Sequence, residues 1–183
     1  MRADASARSS LRLETPASVA RLGVKGPDAA QLLGQLALPV PALPNRCSRL
    51  DPARHAGGGR CLRLGGTEFL IEQDGGDSAL LALREALTTT TLRAWPALRC
   101  DRSLVLRGPD PGRVLLQLCD FDFATFETTP DIAVMTLMAE ISVVLVRDND
   151  TTASGIRIWC DPGYGDYLHD CLATLLNSTG VSA

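Results

Sequence analysis

The sequence predicts an α+β protein made of two similar modules, each an antiparallel sheet with helices packed on one face. Three observations carry that prediction. Residues 22–36, LGVKGPDAAQLLGQL, return 82 positions later as residues 104–118, LVLRGPDPGRVLLQL, with seven of fifteen aligned positions identical. Behind each Gly-Pro-Asp the apolar residues keep one helical register, Ala29, Leu32, Leu33 and Leu36 in the first copy and Pro111, Val114, Leu115 and Leu118 in the second. That i, i+3, i+4, i+7 spacing is the stripe of a helix with one buried side. Through both halves, β-prone runs and helical stripes then follow in one order, β-α-β-β-α.

Each repeat opens with a short β-prone run, Leu22-Gly23-Val24 or Ser103-Leu104-Val105-Leu106, ending at a basic residue and Gly-Pro-Asp. Glycine permits the sharp turn, and proline at the first helical position loses no hydrogen bond. Asp28 and Asp110 are then expected in the first helical turn, where a carboxylate favours the positive end of the helix dipole. In the first copy the Pro-rich stretch VPALPNRCSRLDPARHAGGGR reads as loop. A strand pair at 61–64 and 68–73 follows, turned at Gly65-Gly66, then a helix over DSALLALREAL capped by Asp77 or Ser78. TTTLRAWP closes the copy as a strand stopped by Pro96.

In the second copy CDFDFATFETTPD is a loop with an aromatic cluster, and IAVMTLMAEISVVLVRDND supplies two strands broken near Ala139-Glu140. GIRIWCD is a strand whose Ile156, Ile158 and Cys160 alternate onto one buried face. The last helix places Tyr164, Tyr167, Leu168, Cys171, Leu172 and Leu175 on one stripe. The expected organisation is a disordered tail at 1–10, a first ferredoxin-like β-α-β-β-α module at 11–100, a second at 101–178, and a short tail at 179–183.

Composition restricts function. Hydrophobic residues make up 45% and charged residues 21% of the 183 positions, ordinary values for a globular protein. No apolar run is long enough for a membrane span, and MRADASARSS lacks the apolar stretch of a secretory signal, which points to the cytoplasm. The net charge of −3 divides unevenly: 13 Arg/Lys against 9 Asp/Glu in residues 1–100, and 5 against 12 in residues 101–183. Scattered basic residues and few aromatics argue against a nucleic-acid surface.

Candidate chemistry is sparse. The six cysteines form no CxxC pair and His55 and His169 lie far apart, so neither a zinc site nor a disulfide framework is expected. Gly57-Gly58-Gly59 matches no phosphate-binding motif and reads as a loop. Cys119, followed by two acids, is in surroundings that raise a thiol pKa. Asp120 and Asp122 without further oxygen donors make a poor cation cage and read as solvated or capping residues. No catalytic, cofactor-binding or metal-binding residue is therefore assigned. The cluster Phe121, Phe123 and Phe126 is the one candidate interface, as a docking surface or as filling between the modules.

The pattern of hydrophobic strand, basic residue, Gly-Pro-Asp and amphipathic helix resembles the folate-binding fold of the glycine-cleavage aminomethyltransferases. More closely, LVLRGPDPGRVLLQLCDFDF, MTLMAEISVVLVR and GIRIWCDPGYGDYLHDCL resemble blocks of the gamma subunit of heterotetrameric sarcosine oxidase. Cys119-Asp120-Phe121-Asp122-Phe123 and Asp166-Tyr167-Leu168 fit two of those blocks, and the likeness runs over about residues 18–176. Two blocks depart from the pattern: Phe126-Glu127-Thr128-Thr129-Pro130 stands for the family's Phe-Pro-Pro-Gly, and Pro162-Gly163-Tyr164-Gly165 for its Arg-Ser-Phe-Ala.

The resemblance implies a non-catalytic, structural subunit. In such a complex the alpha, beta and delta subunits hold FAD, FMN, NAD, zinc and tetrahydrofolate, oxidise sarcosine or a related N-methyl amino acid, and pass on the one-carbon unit. Aminomethyltransferases grip folate with acids on a Gly-x-x-x-Asp-Asp type stretch, and the corresponding Glu140-Ile141-Ser142-Val143-Val144-Leu145-Val146 is apolar after Glu140. A stand-alone folate-dependent enzyme is the alternative. A folate-fold protein of the iron–sulfur or tRNA-modification kind falls behind, because Leu118-Cys119-Asp120-Phe121 does not spell the cysteine block those proteins carry.

Overall fold

The computed structural model of the chain describes residues 11–17, 19–55, 57–148 and 154–178; the expected tails at 1–10 and 179–183 lie outside them. The chain forms two compact units. One comprises Ala17–Cys100 with Asp131–Ala133, and the other Asp101–Pro130 and the residues from Val134, together with the segment before Ala17. The first strand among the described residues, β1 (Arg12–Glu14), belongs to the second unit, where the sequence had assigned residues 11–16 to the first module.

The first unit runs β2 (Val19–Lys25), α1 (Ala29–Gln35), β3 (Arg46–Arg49), β4 (Gly59–Arg63), β5 (Glu68–Asp74), α2 (Ser78–Thr89) and β6 (Trp95–Ala97). Its sheet has the order β3-β4-β5-β2-β6 and is antiparallel throughout. Ala29, Leu32 and Leu33 of α1 and Ala79, Leu80 and Leu83 of α2 pack with Leu22, Val24, Cys61, Phe69 and Ile71 of the strands. Each fully buried leucine or phenylalanine contributes about 1.5–3 kcal/mol relative to exposure.

Three differences from the sequence reading have simple causes. The Pro-rich stretch contains β3, a four-residue strand lying after Pro41 and Pro44 and before Pro52, held by β4 on one side and on the other by residues 131–133, where Cys47 N donates to the Asp131 carbonyl at 2.7 Å and Ala133 N to the Asn45 carbonyl at 2.9 Å. The expected strand over 89–96 shrinks to β6, which keeps Pro96 inside it because β6 is an edge. In Gly-Pro-Asp neither Pro27 nor Pro109 is the first helical residue; Asp28 and Asp110 are the N-cap residues, and the helices start after them.

One face of this sheet carries Arg21, Arg60 and Glu72, with Arg60 and Glu72 buried. Register sets the three side by side, with Arg60 opposite Glu72 and Glu72 opposite Arg21. Glu72 Oε1 accepts from Arg60 at 2.5 Å and Oε2 from Arg21 at 2.6 Å, while Arg60 also reaches Asp74 at 3.2 Å. A buried carboxylate is tolerable only with such charged, hydrogen-bonded partners. Beside it, Gln73 caps α2: its Oε1 accepts from Ala79 N at 2.9 Å and its Nε2 donates to Ser78 Oγ at 3.2 Å.

The second unit continues with β7 (Arg102–Arg107), α3 (Pro111–Leu115), α4 (Thr125–Thr128), β8 (Ala133–Met138), β9 (Ile141–Arg147), β10 (Gly155–Cys160) and α5 (Gly165–Ser178). Its order is β1-β7-β10-β9-β8. Taken from the β8 edge, that is β8-β9-β10-β7-β1, the same sequence of roles as β3-β4-β5-β2-β6. Both units are thus five-stranded, one strand more than β-α-β-β-α and its closing strand. Strand β10 is buried at all six positions, Arg157 and Trp159 included, rather than on one alternating face. Its Arg157 donates to Asp148 Oδ2 at 2.9 Å; Arg107 holds the same oxygen at 3.3 Å and Glu14 at 3.0 Å, so this unit also closes an ion-pair set around the buried Asp148 and Arg157.

Strands β8 and β9 meet at Ala139-Glu140, the break the sequence placed there. Both residues have positive φ, 48° and 69°, the pair of left-handed conformations that a two-residue type I′ hairpin turn needs.

Candidate functional site

The sequence-derived aromatics Phe121, Phe123 and Phe126 do come together, in the second unit. Phe121 meets Phe123 at 5.2 Å and Phe126 at 5.4 Å between ring centroids, both edge to face, a favoured geometry for aromatic pairs. Phe123 (8% exposed) and Phe126 (3%) are buried, and Phe121 is half-buried. Of the two readings of this cluster, docking surface or filling, Phe123 and Phe126 take the buried one inside the second unit: each ring packs against the next, and the loop seats on α3, with Phe121 the most open of the three. Gly112 makes that seat, since a Cβ there would lie 2.5 Å from Phe123 Cβ.

Beside these rings lies a cleft of about 560 Å³ bordered by Asp110, Arg113, Asp122, Glu127 and Arg147. Most of its polar groups hold the local backbone. Arg147 donates to the Phe126 carbonyl at 3.0 Å and pairs with Glu127 at 3.1 Å. Asp122 Oδ1 accepts from Ala124 N at 3.0 Å and Asp110 Oδ1 from Arg113 N at 3.3 Å. Asp122 therefore closes the turn that leads into α4, whose N-cap is Ala124, and Asp120 is exposed to solvent.

A second concavity, about 770 Å³, opens at the tip of the β8–β9 hairpin between Glu140, Asp161, Tyr164 and Tyr167. The sequence missed it by counting both tyrosines in the buried helical stripe. Pro162–Tyr164 form a separate turn of 3-10 helix, α5 begins at Gly165, and its buried residues are Leu168, Leu172, Leu175 and Leu176. At about 100° per residue, Tyr167 falls on the flank of that stripe. Tyr164 and Tyr167 are 54% and 51% exposed. Tyr167 donates to the Ala139 carbonyl at 3.4 Å. Its hydroxyl is held above the usual range by a hydrogen bond and charge from Cys171, then by burial, then by Glu140.

The remaining candidates are placed as follows. Cys119 is buried. Burial, then Cys47, pushes the Cys61 thiol far up, and burial, then Asp101 and Asp161, raises Cys160, so neither favours the thiolate. His169 is half-buried with Nδ1 3.4 Å from Asp170, and His55 stands elsewhere, in the first unit. Gly57, Gly58 and Gly59 all have positive φ, and a Cβ on Gly57 would lie 1.8 Å from the Asp74 carbonyl. That run is a close backbone approach to β5. Among the described residues no group of three or more His, Cys, Asp or Glu could hold a metal ion, and no helix is long and apolar enough to cross a membrane.

The stretch implied for folate, Glu140–Val146, does not fit an acid-based grip. Its one acid, Glu140, is exposed at the hairpin tip, and Ile141, Val143, Leu145 and Val146 are buried in the sheet.

Comparison with known proteins places the fold. No protein-family model matches the chain, and no curated protein matches its sequence. A chain of the heterotetrameric sarcosine oxidase from Corynebacterium sp. U-96, solved in complex with pyrrole 2-carboxylate, is similar in structure. The TM-score is 0.74 at 21% identity, over 94% of this chain and 87% of that one. The glycine cleavage system aminomethyltransferase T from Bartonella henselae is similar with a TM-score of 0.71 at 18% identity. That match covers 94% of this chain and 47% of the aminomethyltransferase, so the chain spans about half of that protein. The protein described here has the mixed α+β, two-sheet fold that these two share.

Proposed function

We propose that the chain is a structural, non-catalytic subunit, of gamma type, in a cytoplasmic sarcosine oxidase-type flavoenzyme complex. The complex oxidatively demethylates sarcosine or a related N-methyl amino acid. Its alpha, beta and delta partners carry FAD, FMN, NAD, zinc and tetrahydrofolate, and the one-carbon unit passes to the folate on another subunit. One observation carries this reading: the structural likeness to a chain of a heterotetrameric sarcosine oxidase, over 94% of this chain and 87% of that one. The ionisable groups support it, since Glu72 and Asp148 are each locked between two arginines that fix neighbouring strands. Such groups stiffen a scaffold and are not poised to move protons.

Co-expression with the flavin-bearing subunits of such an oxidase tests the reading. The expected result is a complex that co-elutes on size exclusion with flavin absorbance and keeps its sarcosine oxidation. A chain that stays a colourless monomer beside those subunits sinks it. The likeness to aminomethyltransferase T favours one other reading, a folate-dependent enzyme. That reading requires tetrahydrofolate to bind the isolated chain at micromolar strength in a calorimetric titration.

A further inference from the structure

We infer that the groove at the tip of the β8–β9 hairpin docks an arginine-bearing segment of a partner polypeptide. The inference rests on the subunit reading for the existence of that partner, and it deepens it by naming the surface and the chemistry that recognise the partner.

The groove presents two kinds of group. Tyr164 and Tyr167 show about half their surface to solvent. Tyr167 is held in place from its far end by its hydrogen bond to the Ala139 carbonyl, so little side-chain freedom is lost when a ligand stacks on it. Glu140 and Asp161 flank the rings, and Asp166 is exposed on the adjoining helix α5, where Asp170 faces His169. No arginine, lysine or histidine lines the groove; Arg102, packed against Gly165, lies outside the lining. A concavity of half-exposed tyrosines and unopposed carboxylates is complementary to a planar cation. A guanidinium stacks on an aromatic face while its edge donates in a fork to carboxylate oxygens, and lysine, a point charge, does only the second of these well.

The hairpin tip takes this form at a local backbone cost. Ala139 and Glu140 sit in left-handed backbone where Asn-Gly would be relaxed. Glu140 carries its carboxylate to the rim of the groove in that conformation.

The test uses the full chain and a short fluorescein-labelled arginine–serine repeat peptide, read by fluorescence anisotropy. The arginine peptide is expected to bind, its lysine counterpart several-fold more weakly, and a glutamate counterpart not at all. Tyr164→Ala with Tyr167→Ala is expected to weaken arginine binding about tenfold, and Glu140→Gln with Asp161→Asn to weaken it about tenfold and flatten its salt dependence. Asn at position 161 retains the acceptor that Gly163 N uses at 2.8 Å, so that pair keeps the local turn. Tyr164→Phe with Tyr167→Phe keeps both rings and is expected to keep binding, which separates loss of stacking from loss of fold. No binding of the arginine peptide, equal binding of the lysine peptide, or affinity unchanged in both disruptive pairs overturns the inference. If the co-expressed complex forms yet the peptide does not bind, the groove is wrong and the subunit reading stands; if the peptide binds and no complex forms, the reverse holds.

Discussion

Gly26-Pro27-Asp28 and Gly108-Pro109-Asp110 are spelled alike and sit at the same point of their units, yet the two aspartates do different work. Asp28 makes no side-chain cap to α1; its carboxylate takes the Arg93 backbone N–H at 2.9 Å and the Arg93 guanidinium at 2.9 and 3.1 Å, tying the turn to the segment that leads into β6. Asp110, in left-handed backbone with φ 46°, turns inward and caps α3 through Arg113 N. The difference follows from how each sheet is closed. In the first unit the edge strand β6 follows α2 in the chain, and Arg93 arrives with it. In the second that place is filled by β1, from the other end of the chain, and α5 brings no strand after it among the described residues. One local sequence thus meets a long-range partner, Arg93, in one unit and its own helix, through Arg113 N, in the other.

The comparison can be broken first at the ion pairs. Glu72→Ala leaves Arg60 buried without its main counter-charge and is expected to cost about 3–5 kcal/mol in urea unfolding. Asp148→Ala is expected to cost the second unit a similar amount through Arg157. Sensitivity in one unit alone would show that the two charged sets are not equivalent. Next comes backbone approach. Gly57→Ala drives a Cβ into the Asp74 carbonyl from positive φ and is expected to cost at least about 2 kcal/mol. Gly65→Ala, with nothing within 4 Å of the new Cβ, is expected to stay within about 0.5 kcal/mol in the same assay.

Smaller effects sharpen the comparison. Glu140→Gly relieves a left-handed residue in the β8–β9 turn, which β4–β5 lacks, and should raise stability by about 1 kcal/mol in thermal unfolding. The smallest effect separates the two aspartates. Hydrogen bonds from Arg93 hold the Asp28 carboxyl below its usual range. Its contribution is present above the unfolded value of about 3.9 and fades as pH falls through the lower folded value. Asp28→Asn should therefore be less stable than the parent at neutral pH and indistinguishable from it in strong acid, when melting is followed against pH. Asp110→Asn should change little at neutral pH, because asparagine caps helices and tolerates left-handed backbone as well as aspartate does.

What the sequence made legible was whatever depends on neighbours in the chain. The stripes of α1 and α2, the Gly65-Gly66 turn and the Ala139-Glu140 break are all set by short-range pattern. Strand β3 was hidden because a strand of four residues among prolines carries no period of its own. Strand β1 was assigned to the wrong module because its partner, β7, is distant in sequence. The aromatic loop was visible as composition, but burial of Phe123 and Phe126 depends on Gly112, whose missing side chain is silent until α3 is placed. The tyrosine groove was lost because Tyr164 precedes α5 and Tyr167 falls on the flank of its buried stripe. The charged row of Arg21, Arg60 and Glu72 could not be read at all, because it exists only in the register of three strands.

The edge position of β1 has a consequence for biosynthesis. Glu14 and its partner Arg107 are 93 residues apart, so at translation rates of about 5–20 residues per second the first strand emerges roughly 5–20 s before its neighbour exists. During that interval nearly all of Ala17–Cys100 can assemble, while the leading strand stays a bare ribbon open to wrong pairing. Until β7 is made β1 has no strand to pair with, and a chaperone that covers Arg12–Glu14 would act in that window.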